Sequence, residues 1–86
     1  MRTINKRYSK YHIGQKVIVK KEYKGGGMYL YIGEVGTIEA VDKMNVPDFG
    51  LVDVDVLDIR FARSTIGSGG VISWGSGLVE EYLELL

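Results

Sequence analysis

At 86 residues, the chain is long enough for one domain with a modest core and too short for two. Its hydrophobic content of 45% excludes a disordered chain, and the absence of cysteine excludes disulfides and thiolate zinc sites. The formal net charge is zero, but residues 1–24 hold eight basic residues against one acidic, and residues 25–86 hold three against ten. This asymmetry indicates an anion-binding surface, unless the two halves neutralise each other in the fold.

Residues 1–12 are basic and lack an apolar period, so we predict a basic N-terminal arm followed by a domain over residues 13–86. Basic side chains in this arm and in the following strand can meet phosphates, and Tyr8 and Tyr11 can stack on single-stranded bases. The predicted nucleic-acid-binding residues are Arg2, Lys6, Arg7, Lys10, Lys20, Lys21 and Lys24. The alternative is an arm that only keeps the protein soluble. No apolar run suits a signal peptide or a membrane span, so we expect a cytoplasmic protein without membrane contact.

The first strand is predicted over Lys16–Lys21, because Val17 and Val19 share one face of an extended chain. The connection that follows is tipped by three glycines, and pairing of its flanks would form a protruding hairpin. Exposed aromatic residues on such a loop are typical of a recognition surface, although burial in the core is the alternative. The predicted partner-binding loop consists of Tyr23, Met28, Tyr29 and Tyr31.

The stretch from Ile32 to Val41 predicts a tight turn that leads into a second strand over residues 36–42. Gly33 and Gly36 are both expected in the turn with positive φ, where a β-branched residue would be strained. Residues 43–48, which include the only proline, predict a loop.

The longest strand is predicted over residues 50–63, where Val52, Val54 and Val56 alternate with aspartates as in a half-buried strand. The apolar pattern resumes at Ile59, an odd step from Val56, so a β-bulge near residues 57–58 is expected to restore the register. The intervening acidic residues suit either a hard cation, a partner-binding acidic face that imitates a row of phosphates, or a solvated stripe. They are Asp53, Asp55 and Asp58.

The C-terminal part predicts a glycine-rich turn over residues 64–70, a fourth strand over residues 71–74 that ends in a buried Trp74, and one helical turn over residues 78–82. Residues 83–86 predict a last strand that needs a partner strand. Neither glycine-rich segment is followed by the Lys-Ser/Thr of a phosphate loop, and His12, the only histidine, has no catalytic partner at a recognisable spacing. No cofactor, metal site or catalytic residue is therefore expected.

Five short strands, one helical turn and no βαβ unit predict an all-β fold. Specifically, we predict a small, closed, five-stranded antiparallel barrel with one short helical turn before the last strand. Closure suits a chain of this size because it leaves no exposed strand edge.

The order of these features resembles an SH3-like barrel, and the resemblance covers residues 13–86. It rests on Gly14-x-x-Val17-x-Val19, a long loop, Gly33-x-x-Gly36-Thr-Ile38, a hairpin, a helical turn and Leu83-Glu-Leu-Leu86. The first half, over residues 14–42, is similar to the KOW motif, with a longer, glycine-tipped loop after the first strand. KOW-type barrels commonly contact RNA or ribosomal partners, Tudor-type barrels enclose methylated side chains in aromatic cages, and small viral proteins use this barrel to bind host proteins. The chain lacks the paired tryptophans of SH3 domains that bind proline-rich peptides.

We therefore predict a non-enzymatic binding module without a small-molecule substrate. In the first hypothesis it contacts nucleic acid or a ribonucleoprotein through the basic arm and the tyrosine-flanked glycine loop. In the alternative it is a protein-binding accessory or inhibitor, of viral or mobile-element origin, that uses the loop and the acidic strand face.

Overall fold

The computed structural model describes residues 10–46, 48, 50–63 and 69–86, with the backbone alone at residues 46 and 51–53. The chain is mostly β, with one short helix. In chain order the elements are β1 (Lys16–Val19), β2 (Tyr23–Gly25), β3 (Met28–Leu30), β4 (Val35–Val46), β5 (Leu51–Phe61), β6 (Val71–Gly75), α1 (Ser76–Tyr82) and β7 (Leu83–Leu85).

Five strands form one antiparallel sheet in the order β6-β5-β4-β1-β7, and β2 and β3 form a separate hairpin. The predicted last strand finds its partner in β1, where Val17 lies opposite Leu85 and Val19 opposite Leu83. The predicted closure is not found, because β6 and β7 are the two edges of the sheet and no pairing joins them among the described residues. Helix α1 connects these edges, and it begins two residues before the predicted helical turn.

One face of the sheet and the helix enclose the core. Val17 and Val19 of β1 point inward as their sequence pattern predicts, and Trp74 is buried, which confirms its predicted place. In β5 the buried residues are Leu57, Ile59 and Phe61, whereas Val54 and Val56, which were expected on the buried face, are only half-buried. Cross-strand neighbours in this core include Leu57 with Trp74 and Ile59 with Ile72. The buried hydrophobic residues are Tyr11, Val17, Val19, Leu30, Ile38, Leu57, Ile59, Phe61, Ile72, Trp74, Val79 and Leu83.

The predicted bulge at residues 57–58 of β5 is wrong. Residues 56–60 pair regularly with β6, and Leu57 itself begins the buried set that continues with Ile59 and Phe61. The extra residue near this point is Glu39 in β4, because Ile38 lies opposite Ile59 whereas Ala40 lies opposite Asp58. In β4 the inward side chains therefore step from Ile38 to Val41, and this odd step is the sequence signature of the bulge. A second shift lies near the other end of the ladder, between the pairs Met44–Val54 and Val46–Leu51.

Strand β4 also differs from its prediction at both ends. Gly33 takes φ +95° in the turn, as expected, but Gly36 lies inside the strand, opposite Val17 and Phe61, and its φ is not positive. The strand extends to Val46, through most of the segment that was expected to be a loop, because residues 42–44 find partners on β5.

The core reaches into the segment that was assigned to the N-terminal arm. Tyr11 is only 5% exposed, and Lys10 forms an ion pair of 3.0 Å with Glu80 of the helix. Burial raises the pKa of the Tyr11 phenol, since the charged form loses hydration in that environment. Residues 1–9 of the predicted arm lie outside the described residues.

Candidate functional site

The hairpin formed by β2 and β3 divides the predicted partner-binding loop between two faces. Gly26 and Gly27, with φ of +57° and +77°, make the two-residue turn, a geometry that glycine adopts without steric cost. Because side chains alternate along each strand, Tyr23 and Met28 point inward and pack on the core, whereas Tyr29 points outward. The four predicted loop residues therefore do not form a single surface.

The inward face of the hairpin joins an aromatic cluster that holds the hairpin to the sheet and the helix. The ring of Tyr23 lies 5.0 Å from that of Trp74 and 5.1 Å from that of Tyr82, both in edge-on geometry. Such pairs add about 0.5–1.5 kcal/mol beyond the area they bury. Tyr23 is therefore packed against the core rather than exposed on a recognition loop, and its ring positions the hairpin.

The outward face of the hairpin presents two neighbouring tyrosines, and we call it the tyrosine face, formed by Glu22, Lys24, Tyr29 and Tyr31. The rings of Tyr29 and Tyr31 lie 4.5 Å apart, and Tyr31 is 53% exposed. Lys24 lies directly opposite Tyr29 in the hairpin, and the Tyr29 hydroxyl donates a hydrogen bond to Glu22. This bond raises the pKa of the Tyr29 phenol, because it stabilises the protonated form beside a carboxylate. A cleft of about 330 Å³ lies beside Lys24, Met28 and Tyr29.

Arg63 clamps the base of the tyrosine face. Its Nε and Nη2 atoms donate to the two carboxylate oxygens of Glu34, each over 2.7 Å, and Nη2 also donates to the Tyr29 carbonyl over 2.7 Å. The guanidinium carbon lies 4.9 Å from the centre of the Tyr31 ring, within the range of a cation–π contact. One side chain therefore ties the hairpin, the turn after it and the end of β5 together. The sequence offers no local signal for this, because Arg63 comes together with residues 29–34 only in the folded chain.

We expect the Arg63→Lys variant to loosen the hairpin without unfolding the sheet. A lysine keeps the charge but cannot make the bidentate contact with Glu34 and also reach the Tyr29 carbonyl. Amide hydrogen exchange of β2 and β3 should become severalfold faster, while β5 and β6 keep their wild-type protection. Arg60→Lys is the matched control, since Arg60 pairs with Glu39 away from the hairpin over 2.6 Å. Equal exchange of the hairpin amides in both variants would contradict this role of Arg63.

The same clamp predicts a pH dependence of stability. Hydrogen bonds from Arg63 lower the pKa of the Glu34 carboxyl below its ordinary value of 4.5, and the Tyr31 backbone N–H contributes in the same direction. Since the pKa is lower in the folded state, the charged Glu34 stabilises the fold above about pH 5, and this contribution is lost as the pH falls through the folded pKa. The melting temperature of Glu34→Gln should therefore lie below that of the wild type near pH 7, and the gap should narrow towards about pH 3.

In that experiment, Glu84→Gln removes the same charge at an exposed position and controls for the change in net charge. A gap between the wild type and Glu34→Gln that stays constant over this pH range would show that the Glu34 carboxylate is not stabilised by Arg63 in the folded state.

The predicted nucleic-acid-binding residues do not form one basic surface. Lys10 and Lys21 form ion pairs with Glu80 and Glu81 of the helix, over 3.0 and 3.1 Å. Among the described residues, no carboxylate lies within ion-pair distance of Lys20 or Lys24, which are both exposed. The remaining three, Arg2, Lys6 and Arg7, lie outside the described residues.

Lys20 also lies apart from the hairpin cleft. It lines a second cleft, of about 390 Å³, in which it and Lys10 face Glu80 and Glu84. The two cations and two carboxylates leave this cleft without a net charge. The acidic partners on the helix were missed because charges 60 to 70 residues apart in the chain meet only through the fold.

The acidic residues of β5 do not share one face. Asp55 forms an ion pair of 2.7 Å with Lys43, whereas Asp58 accepts a hydrogen bond from the Ser73 hydroxyl. Three residues apart in a regular strand, Asp55 and Asp58 point to opposite sides of the sheet. The idea of an acidic row that imitates phosphates is therefore wrong for these two residues, and the side chain of Asp53 lies outside the described residues.

The described residues contain no group of three or more His, Cys, Asp or Glu side chains that could hold a metal ion. His12 is exposed, and its backbone N–H donates to the Gln15 side chain at a turn. In the described part of the chain, no helix combines the length and the apolar character needed to span a membrane.

Comparison with protein-family models, with curated proteins and with solved structures finds no match. The class of the protein is therefore defined by its own features. Its described residues form a small, mostly β protein, with a five-stranded antiparallel sheet, one short helix and a hairpin whose outer face presents the half-buried Tyr29 beside the exposed Tyr31.

Proposed function

We propose that this protein is a binding module and that its partner is a protein, which docks on the tyrosine face. The observation that carries this proposal is the contact between the half-buried Tyr29 and the exposed Tyr31, with Arg63 bound to the Tyr29 carbonyl and stacked on the Tyr31 ring. Tyrosine, arginine and methionine are enriched at the centres of protein interfaces, and tyrosine in particular offers a large contact area with few rotatable bonds. The cleft beside Met28 and Tyr29 gives an apolar side chain of the partner a place to insert.

The charges around the two rings also favour a protein over a nucleic acid. Glu22 and Glu34 lie within hydrogen-bond distance of groups on this face, and only Glu34 is neutralised by an arginine. A phosphate backbone repeats its charge along its length, so even with one phosphate at Lys24 its neighbours would approach the uncompensated carboxylate of Glu22 unfavourably. A protein partner can instead place a donor or an apolar group at that position.

A photocrosslinking experiment tests this proposal. A photoreactive phenylalanine analogue replaces Tyr31 in one sample and Met44, an exposed apolar residue of β4, in the control. In nuclease-treated extracts, we expect a protein adduct at position 31 that is absent at position 44. The Tyr29→Ala substitution should reduce that adduct. Adducts of equal yield at both positions, or an adduct that disappears with nuclease, would overturn the proposal.

Contact with nucleic acid is the second candidate, favoured by the exposed side chains of Lys20 and Lys24, which have no ion pair among the described residues. The ion pairs of Lys10 and Lys21 lie between exposed side chains, where such pairs contribute little to stability, so phosphates could displace them. This function predicts binding to mixed single-stranded DNA and RNA that weakens steeply between about 50 and 200 mM salt. Unchanged mobility of these nucleic acids at the lower salt concentration would exclude it.

An SH3-like strand arrangement, open between β6 and β7 in the described residues, is the fold that we propose behind both functions. The support is the strand order β6-β5-β4-β1-β7, the hairpin inserted between β1 and β4, and the helix before β7. These are the positions at which the resembling barrels carry their long loop and their short helical turn.

A further inference from the structure

Lys24 is the cation of the tyrosine face, it lies beside the cleft, and it has no ion pair within the described part of the chain. Lys24 is exposed, lies directly opposite Tyr29 in the hairpin and lines the cleft together with Met28. No carboxylate of the described residues lies within ion-pair distance of it. The two carboxylates nearby are engaged elsewhere, since Glu22 accepts from the Tyr29 hydroxyl and Glu34 from Arg63.

We propose that the segment bound by the tyrosine face carries a large apolar side chain with an aspartate or glutamate next to it. This inference rests on the function proposed above and adds the chemistry of the partner. The apolar side chain enters the cleft beside Met28 and Tyr29, and the carboxylate pairs with Lys24 at the rim. A cation at the rim of an apolar pocket selects a partner of opposite charge, and reversal of that cation should invert the selection.

A random-peptide display library supplies the probe. The library is selected on the wild-type protein and, separately, on Lys24→Glu, and enriched peptides are then synthesised for affinity measurement by fluorescence anisotropy. Peptides from the wild-type selection should carry Asp or Glu within two positions of a large apolar residue. Peptides from the Lys24→Glu selection should carry Lys or Arg there instead.

Two further variants give the controls. Lys20→Glu makes the same charge change at an exposed lysine that lines the other cleft, away from the hairpin cleft. Tyr31→Ala removes the exposed ring of the tyrosine face itself. The affinity of a wild-type-selected peptide should fall by about threefold to tenfold in Lys24→Glu and remain unchanged in Lys20→Glu. In Tyr31→Ala it should fall by about tenfold or more.

The outcomes separate this inference from the proposed function. Peptide affinity that depends on Tyr31 without an acidic preference would contradict the proposed acidic partner, and so would an equal loss of affinity in Lys20→Glu and Lys24→Glu. In either case the proposal that a protein docks on the tyrosine face would remain. If no enriched peptide depends on Tyr31, both proposals are overturned.

Discussion

The Gly36→Val substitution is expected to lower the free energy of unfolding by about 3 kcal/mol or more, at the upper end of the usual cost of overpacking a core. Gly36 lies in β4 with its α-carbon against the core, and a β-carbon built there would lie 2.8 Å from the Cγ2 atom of Ile59 and 3.0 Å from the Phe61 ring. Valine adds two methyl groups to that β-carbon. In a domain whose total stability is about 5–10 kcal/mol, the melting temperature should fall by roughly 10–20 °C.

Thermal and urea unfolding of Gly36→Val, Gly36→Ala and Gly77→Ala measures this effect. Gly36→Ala should destabilise less than valine, and Gly77→Ala, at a helix position with open space around it, should stabilise by about 0.5–1 kcal/mol. A double-mutant cycle of Gly36→Ala with Ile59→Ala should show that the pair costs less than the sum of the single changes, because the shorter side chain removes the contact. Wild-type stability of Gly36→Val would mean that β4 does not pack against Ile59 and Phe61 as described.

At position 36 the sequence analysis expected glycine to be required, but it assigned the wrong reason. Glycine at a strand start was interpreted as a turn residue with positive φ, and Gly33 fits that interpretation with φ +95°. Gly36 is required by sterics instead, because the core leaves no room for a side chain opposite Ile59 and Phe61. Conformational freedom and close packing both require glycine, and a single sequence does not distinguish the two.

Local patterns predicted most of the elements. The alternation at Val17 and Val19, the glycine-tipped hairpin, the helix before residue 83 and the need of the last strand for a partner are all found in the structure. The predictions that failed were the closure of the barrel, the loop over residues 43–48, most of which is part of β4, and the register of β5. The odd step in β5 was interpreted as a bulge there, but the bulge lies in its neighbour at Glu39, because a ladder can absorb the shift in either strand.

The candidate site was predictable only where it depends on local alternation along a strand. Side chains alternate between the two faces in Tyr23-Lys24-Gly25 and in Met28-Tyr29-Leu30. This alternation alone predicts that Tyr23 and Met28 lie on one face of the hairpin and Tyr29 on the other. Arg63 and the glutamates of the helix were not predictable, because their contacts join residues far apart in the chain. A long-range ion pair leaves no periodic trace in the sequence.

The Tyr11→Ala substitution is expected to lower the free energy of unfolding by about 2–4 kcal/mol, although its sequence context is that of a basic arm. The ring is buried among core residues and only 5% exposed, so its removal leaves a cavity beside the helix. A buried aromatic residue surrounded by charges in the sequence gives no apolar period, which is why the arm was predicted to extend to residue 12. Tyr11→Phe keeps the ring and should retain most of the stability.

Tyr31→Ala is the matched control for Tyr11→Ala, because it deletes the same side chain at a position that is 53% exposed. Its cost should be about 1 kcal/mol or less, because its contacts with Tyr29 and Arg63 lie at the solvent-exposed surface. Urea unfolding of both variants decides between an arm and a core residue. Similar, small losses of unfolding free energy for the two tyrosines would show that residues 10–12 do not belong to the folded domain. A much larger loss for Tyr11→Ala would show that the folded domain begins at Lys10, whose ion pair with Glu80 then lies at the domain boundary.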